Sequence, residues 1–304
     1  MIKRWLLASF IALLLASCGM DAPQPGTTPR QISTLDKIRQ TGTITLGTRH
    51  ASIPFNYLDD HQQQAGFSWE ISQRVVEAVK QELELPDLAV KTMTVTPQTR
   101  IPLVANQTLD LECSSTTHNL ERRAQVSFSN TFFIVGVRLL VRKDSGIQDW
   151  PDVAGKRVIV SGGTTAARLL RKLNSDRNWD IDILTAKDIN ENFMMVETGR
   201  AVASVQDDII LHSNIARARE PQAWEVVGTP LQREAYACML RKGDVAFKQL
   251  VDGVIAGMMQ SGEMERLYTK YFQSRIAVKG GINIKQPLSD DMRELFQRPN
   301  DDVL

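Results

Sequence analysis

Segments with the pattern of β-strands and segments with the pattern of α-helices alternate along the chain from residue 32 onward. The predicted strands are 43–48, 88–95, 108–113, 136–143, 181–186, 201–206 and 234–242. The predicted helices are 32–42, 67–83, 191–200 and 207–219, with one or two more in 245–272 and a strand–turn–helix unit at 156–174. Such alternation is typical of parallel sheets covered by helices, so the sequence predicts an α/β protein.

A second series of strands and helices begins near residue 136, and the two series are similar in length. We therefore predict two lobes, the first formed by residues 32–137 and 234–304 and the second by residues 138–233. The chain would cross between the lobes twice. Because ligands of open α/β sheets bind at the carboxyl ends of strands, we expect a binding cleft between the lobes.

The N-terminus has the composition of a secretory signal. A basic start precedes an apolar run over 5–16, which is too short for a good transmembrane helix. The residues Leu-Ala-Ser-Cys at 15–18 resemble the bacterial lipobox, so we expect a lipoprotein signal peptide over 1–17 and lipidation of Cys18. The alternative is an ordinary signal cleaved after Ala16 or later, with the cysteine incidental.

Residues 18–31 are rich in proline, glycine and threonine, which predicts a flexible tether between a membrane anchor and a folded body. We therefore expect an exported protein held at a membrane through Cys18. The formal net charge is +1 and becomes −1 once residues 1–17, with two positive charges and no acids, are removed. A nearly neutral chain has no long-range field that attracts nucleic acid, and no nucleic-acid partner is predicted.

Two cysteines remain in the folded body, Cys113 and Cys238. Disulfides persist in the oxidising setting of an exported protein, which favours pairing of the two. Two buried thiols are the alternative, because free cysteine is common in protein cores.

The stretch LECSSTTHNLERR at 111–123 gathers hydroxyl groups and two arginines where a predicted strand gives way to a helix. We expect the helix to begin near Thr117 or Asn119, which places Arg122 in its first turn. A cation is unfavourable at that end of the helix dipole, and a bound carboxylate gripped by the guanidinium would offset it. The alternative is a solvated arginine pair beside a helix cap.

A glycine turn, Gly162-Gly163, separates a predicted strand from a helix that opens with Thr164 and Thr165. Turns of this kind expose backbone N–H groups to anions. The stretch has neither the Lys-Ser/Thr ending of a Walker loop nor the glycine spacing of a dinucleotide fingerprint. A plain strand–helix turn with threonine caps is the alternative.

Arg49, Arg100 and Asp207 also lie at the ends of predicted elements, with Arg100 in a helix that we expect Thr96 to cap. Together with Arg122 they place three arginines and one aspartate at strand ends or helix starts. That set matches a small ligand with two carboxylates and one ammonium.

Signals of catalysis are poor. The four histidines show no metal-binding spacing, and no nucleophile-elbow motif is present. We predict no catalytic residue, no metal site and no cofactor. His118 and Asp208 are the only candidates for a general acid or base.

Eight runs carry a resemblance to a known family: STLDKIRQTG, RHASIPFNY, TRIPL, LDLECSSTTHNLER, SGGTT, ETGRAVA, EAYACMLRK and RPND. From about residue 33 to residue 302 the chain resembles the glutamate/aspartate-binding proteins of polar amino-acid ABC transporters. The resemblance implies a two-lobed type II periplasmic binding fold with two crossover strands. It also implies an acidic amino-acid ligand, a membrane permease with its ATPase as partners, and no enzymatic activity. We expect a monomer.

The resemblance also implies which residues bind the carboxylates of the ligand. In such proteins the arginine that matches Arg122 holds the α-carboxylate, helped by groups that match Thr117 and the threonine turn at 164–165. The arginines that match Arg49 and Arg100 hold the side-chain carboxylate.

For the ammonium, the acid that matches Asp207 and the residue that matches Ser115 are the binding groups in this family. The family also often has cysteines that match Cys113 and Cys238, which implies the disulfide.

Two positions depart from the family pattern. A serine that is common in the family is Pro97 here, and an expected histidine is Ile189. Both positions are thought to face the ligand side chain, so we expect a less polar pocket for glutamate, aspartate or a related amino acid such as glutamine. The alternative is an exported enzyme on the same fold, similar to cyclohexadienyl dehydratases.

Overall fold

The structure, a computed structural model, describes residues 32–304. The predicted signal peptide, Cys18 and the tether lie outside these residues.

Among residues 32–304 the helices are α1 (Thr34–Thr41), α2 (Phe67–Leu83), α3 (Arg100–Ala105), α4 (Leu120–Arg123), α5 (Thr165–Arg177), α6 (Ile189–Glu197), α7 (Asp208–Arg217), α8 (Val245–Gln260), α9 (Glu263–Tyr268) and α10 (Asp290–Gln297). None of these helices is both long enough and apolar enough to cross a membrane. The strands of the same part of the chain are β1 (Thr43–Thr48), β2 (Ala51–Ser52), β3 (Asn56–Leu58), β4 (Gln64–Ala65), β5 (Ala89–Thr94), β6 (Leu111–Glu112), β7 (Thr117–His118), β8 (Val126–Arg142), β9 (Arg157–Ser161), β10 (Asp182–Ala186), β11 (Ala203–Asp207), β12 (Trp224–Val227) and β13 (Arg233–Arg241).

Two long strands, β8 and β13, run antiparallel at the centre of a mixed sheet. On one side β13 pairs with β6, and β1 lies between β6 and β5 in parallel register. On the other side the second half of β8 pairs with β11, and β9 lies between β11 and β10, parallel to both. The strand order is β10-β9-β11-β8-β13-β6-β1-β5, so two parallel groups are joined by the antiparallel pair.

Separate hydrophobic cores support the two groups of strands. The first core is rich in aromatic rings, and the centroids of Phe55, Phe67, Phe133 and Phe272 lie between 4.9 and 6.3 Å apart. Burying one such side chain stabilises the fold by about 1.5–3 kcal/mol. The second group has two cores of its own, whose buried members all lie between residues 137 and 227. The first core also contains Ile189, Ile209 and Ile210 of the second group, so the two lobes have cores of their own that meet where the lobes touch.

Most of the predicted elements are confirmed, and two agree residue for residue, β1 and α2. Gly42 ends α1 in the left-handed conformation that glycine adopts readily. The strand predicted at 136–143 is the end of the much longer β8, and the strand predicted at 108–113 shortens to β6. Six elements were not predicted, namely β2, β3, β4, β7, β12 and α10.

The prediction that Thr96 caps this helix was wrong, because α3 begins at Arg100. Thr96 N donates to Thr99 Oγ1 at 3.0 Å, and Thr99 N donates to Thr96 Oγ1 at 3.2 Å. These reciprocal hydrogen bonds close a turn before the helix starts. Arg100 still lies in the first helical turn, as predicted.

Cys113 and Cys238 form a disulfide, which confirms the predicted pairing. The bond ties the residue that follows β6 to β13, and both cysteines are fully buried. It therefore fixes the backbone immediately before the hydroxyl-rich stretch that begins at Ser114.

Candidate ligand-binding site

A small cavity of about 20 Å³ lies between the two lobes. Its lining consists of Arg49, Pro97, Arg100, Ser115, Thr117, Thr164, Thr165, Ile189, Gln206 and Asp207. The structure thus brings together seven of the eight residues predicted to bind a ligand. The eighth, Arg122, is not part of the lining.

Arg122 is buried and contacts both lobes. Its Nη1 donates to Thr117 O at 2.8 Å, and its Nη2 donates to Gly163 O at 3.3 Å. Burial and the neighbouring charge of Arg100 lower the pKa of Arg122 to about 10. Two neutral carbonyls do not neutralise a guanidinium with five N–H donors, so Arg122 can still bind an anion.

The helix that carries Arg122 is very short. Asn119, one of the two expected starts, caps it by accepting from Arg122 N at 2.9 Å, whereas Thr117 belongs to β7. Because α4 has only four residues, its first turn is also its last. The helix-dipole argument for an anion beside Arg122 was therefore wrong, and the case for this residue rests on its burial.

Two other guanidinium groups line the cavity itself. Arg100 Nη1 donates to Ser115 O at 2.9 Å and to Thr116 Oγ1, but its buried Nε has no partner among residues 32–304. Arg49 is 4% exposed, and within the described part of the chain its backbone is hydrogen-bonded but its guanidinium is not. Burial and the charge of Arg100 lower the pKa of Arg49 to about 10. Buried donors without acceptors are costly, so these two arginines indicate an anionic ligand.

Asp207 lines the cavity from the end of β11. Its Oδ2 accepts from the hydroxyl of Tyr236, whereas its buried Oδ1 has no partner within the described residues. Burial and the charge of Glu234 raise the pKa of Asp207 to about 8. A cationic group such as an ammonium would stabilise the charged form of this carboxyl group, so Asp207 suits the positive end of a zwitterion.

Four buried polar residues at the site were missed by the sequence analysis: Gln206, which lines the cavity, and Glu112, Glu234 and Tyr236, which do not. Glu112 accepts from the hydroxyls of Ser114 and Thr116, which accounts for part of the hydroxyl-rich stretch. Both acids stand in apolar strand-like runs, LDLEC and EAYACML, where a charged residue is rare unless it is paired. That mismatch was a signal that could have identified them.

The lobes touch at the glycine turn. Gly163 has a φ of +71°, and a Cβ on it would lie 2.9 Å from Gln98 N. Thr117 Oγ1 and Thr165 Oγ1 lie 3.3 Å apart across the same boundary. The lobes are therefore closed over the cavity, and glycine is required at 163 by both the backbone angle and the close approach.

Thr164 fits both roles that the sequence left open. Its hydroxyl caps α5 by accepting from Ala167 N at 3.1 Å, and its side chain also lines the cavity. Ser115 Oγ is hydrogen-bonded to Ser52 Oγ at 2.7 Å. Pro97 and Ile189 both line the cavity and give it apolar surface. These are the two positions at which the sequence predicted a less polar pocket.

The two candidates for a general acid or base do not line this cavity. His118 stacks on Phe128 with ring centroids 4.5 Å apart, and burial together with the charge of Arg123 lowers the pKa of His118 to about 4. Asp208 lines a different cavity behind β8, together with Gly136 and His212. No group of histidine, cysteine and acidic side chains in residues 32–304 could hold a metal ion.

The family model for bacterial extracellular solute-binding proteins, family 3, matches residues 44–274. The chain belongs to this family. Its place in the family makes it an exported solute-binding protein. The family match also confirms the predicted two-lobed type II periplasmic binding fold, together with the solved structures described below.

Curated members of the family are similar over nearly the whole chain. The glutamate/aspartate import solute-binding protein of Salmonella typhimurium is 46% identical over 298 residues, which are 98% of each chain. The L-glutamate/L-aspartate-binding protein of Pseudomonas aeruginosa is 49% identical over 269 residues, 88% of this chain and 89% of the relative. Both relatives are described as binding proteins, in keeping with the solute-binding family to which this chain belongs.

Solved structures of similar proteins have the same fold. A solute receptor for L-cysteine from Neisseria gonorrhoeae has a TM-score of 0.70 and 27% identity, covering 79% of this chain and 93% of that one. An ancestral amino acid-binding protein, described as a precursor of cyclohexadienyl dehydratase, has a TM-score of 0.66 and 27% identity, covering 79% and 99%. Cyclohexadienyl dehydratase was the enzyme considered as an alternative from the sequence. The similar solved structure that is described as its precursor is itself a binding protein.

Proposed function

We propose that this solute-binding protein captures glutamate or aspartate in the cavity between its lobes and delivers it to a membrane permease driven by an ATPase. The observation that carries the proposal is the pair of buried guanidinium groups of Arg49 and Arg100, which line the cavity with donors that lack acceptors among the described residues. Asp207 provides the opposite charge in the same lining. The ligands named for the relatives described above agree with this pattern of charges.

Charge assigns the carboxylates of the ligand to the arginines, because guanidinium binds carboxylate through two parallel hydrogen bonds. The resemblance to the family divides them, with the side-chain carboxylate at Arg49 and Arg100 and the α-carboxylate at Arg122. Asp207 holds the ammonium, with Ser115 beside it in the lining. Thr164 and Thr165, at the start of α5, line the remaining side of the cavity.

Opening and closing occur by hinge motion about β8 and β13, the two strands that join the lobes. The lobe boundaries follow, with residues 32–137 and 234–304 in one lobe and 138–233 in the other. The protein works as a monomer, since both lobes of one chain enclose the ligand.

A calorimetric titration of residues 30–304 with glutamate, aspartate, glutamine and asparagine tests the proposal. Glutamate or aspartate is expected to bind about a hundredfold more tightly than its amide, because the NH2 group of the amide is a donor and cannot pair with the donors of a guanidinium. Binding to none of the four would contradict the proposal. Assays of turnover with prephenate and arogenate would then test the enzyme alternative.

The apolar residues in the lining give a second prediction. Ile189→His and Pro97→Ser each add a polar group at the cavity, and each is expected to strengthen binding of acidic amino acids by about threefold to tenfold, the usual range for one added hydrogen bond. The measurement is the dissociation constant for glutamate and for aspartate. Met194→His is the matched control for Ile189→His, because Met194 lies on the same helix but is 50% exposed. Unchanged affinity in both lining variants would show that these positions do not contact the ligand.

The lipid anchor is part of the same proposal. The lipobox-like residues at 15–18 predict that Cys18 is lipidated and holds the protein at a membrane. In a cell fractionation, the wild-type chain is expected in the membrane fraction and the Cys18→Ala variant in the soluble fraction. Finding the wild-type protein in the soluble fraction would contradict lipidation, but it would not contradict the proposal that the protein binds glutamate or aspartate.

A further inference from the structure

Glu234 is a buried acid whose contacts suggest a role in selecting the ligand. It lies in β13, two residues before Tyr236, and side chains at this spacing face the same side of a strand. Tyr236 holds Asp207, which lines the cavity, and Glu234 contacts two other lining residues. The opposite face of β13 contacts α10, where Arg233 pairs with Asp291 at 2.6 Å.

One oxygen of Glu234 accepts two hydrogen bonds. Its Oε2 accepts from the hydroxyl of Thr117 in the first lobe, and from Thr165 Oγ1 in the second lobe at 2.7 Å. The exposed fractions are 1% for Glu234, 3% for Thr117 and 5% for Thr165, so water does not compete for these bonds. The carboxylate therefore joins two hydroxyl groups that belong to different lobes and both line the cavity.

The number of protons in this cluster limits what the two hydroxyls can do. A threonine hydroxyl has one proton to donate, and in both of these hydrogen bonds Glu234 Oε2 is the acceptor. Each hydroxyl lies closer to Glu234 Oε2 than to the other hydroxyl, 3.3 Å away, so each donates its one proton to Glu234 and has none left for a ligand. Towards the cavity, Thr117 and Thr165 present oxygen lone pairs, which attract a donor and repel a carboxylate.

We propose that Glu234 is a positioning residue that turns Thr117 and Thr165 into acceptors for the ligand ammonium. The proposal rests on the proposed function, in which the ligand is an amino acid. It reverses the role that the resemblance implied for the threonine side chains, which was to help hold the α-carboxylate. Asp207 completes the acceptor set, because Tyr236 occupies its Oδ2 and leaves its buried Oδ1 without a partner among the described residues. A ligand without an ammonium then leaves three acceptors unsatisfied.

The test compares glutamate with glutarate, the same dicarboxylate without the ammonium, on the full mature chain. In Glu234→Gln the neutral amide no longer fixes both hydroxyl protons. The dissociation constant for glutamate is expected to rise by about tenfold to a hundredfold, whereas that for glutarate changes by less than about threefold. Thr165→Val, which removes one acceptor at nearly constant volume, is expected to show the same preference for weakening glutamate.

Equal weakening of both ligands in Glu234→Gln and in Thr165→Val would overturn the proposal, because it would indicate a structural role only. Unchanged glutamate affinity in both variants would overturn it as well. Glu225→Gln is the matched control, since Glu225 lies on β12, away from the cavity lining. If the wild type binds another amino acid instead of glutamate or aspartate, the proposed function fails, and the same comparison is made with that amino acid and its deaminated counterpart.

Discussion

Replacing Arg122 with alanine is expected to weaken glutamate binding by about a thousandfold. Removing one partner of a buried ion pair costs about 2–5 kcal/mol, and a thousandfold loss corresponds to about 4 kcal/mol. The guanidinium also donates to Thr117 O in one lobe and to Gly163 O in the other, so its loss removes a direct contact between the closed lobes. The measurement is the dissociation constant by calorimetry, with thermal unfolding to check that the variant is folded.

The neighbouring residue supplies the control. Arg123 has the same side chain but is partly exposed, and it pairs with Asp301 at 3.2 Å. Arg123→Ala is expected to change affinity by less than about threefold, since exposed ion pairs contribute about 0–1 kcal/mol. Arg122→Lys keeps the charge but loses the two-pronged geometry and should fall between the two. Full affinity in Arg122→Ala would remove Arg122 from the site and leave Arg49 and Arg100 as the carboxylate-binding groups.

Position in the lining separates the roles of the three arginines. Arg49 and Arg100 line the cavity, whereas Arg122 lies outside the lining and donates to a backbone carbonyl of each lobe. A substitution at Arg49 or Arg100 changes the groups that meet the ligand side chain. A substitution at Arg122 affects both binding and closure, which is why its expected effect is the largest.

Local patterns predicted the regular elements well. The helix α2 agreed residue for residue because its buried side chains, such as Ile71, Val75 and Val79, recur at helical spacing. The beginning of β8 was missed because polar residues, among them Ser129 and Asn130, interrupt its apolar pattern. Their partners are distant in sequence: Ser129 Oγ accepts from Cys238 N, and Asn130 N donates to Asp252. No local pattern contains those contacts.

The same reason limits what the sequence predicts about the site. Ends of strands and starts of helices indicated Arg49, Arg100 and Asp207, since such positions gather at one edge of a parallel sheet. The role of Glu234 depends on Thr117, which is 117 residues away, and on the closure of the lobes. A charged residue inside an apolar strand could have indicated that Glu234 is buried. It could not have identified the two hydroxyls from which its carboxylate accepts hydrogen bonds.

Replacing both Cys113 and Cys238 with alanine is expected to lower the free energy of unfolding by about 3–5 kcal/mol. In the chain-entropy model a disulfide restricts the unfolded chain, and its effect grows with the length of the loop, here a separation of 125 residues. The measurement is urea denaturation of the oxidised wild type, the reduced wild type and the double variant. The last two are expected to unfold at similar, lower urea concentrations.

Ligand affinity separates this loss of stability from damage to the site. Cys113 immediately precedes Ser114 and Ser115, but Glu112, Ser52 and Arg100 also hold that stretch through hydrogen bonds. Affinity for glutamate is therefore expected to fall by less than about tenfold in the double variant. A double variant as stable as the oxidised wild type would contradict the stabilising role of the disulfide. A loss of affinity as large as that of Arg122→Ala, in a variant that remains folded, would mean instead that the disulfide positions the binding residues, because the hydrogen bonds alone would then be insufficient to hold Ser115 in place.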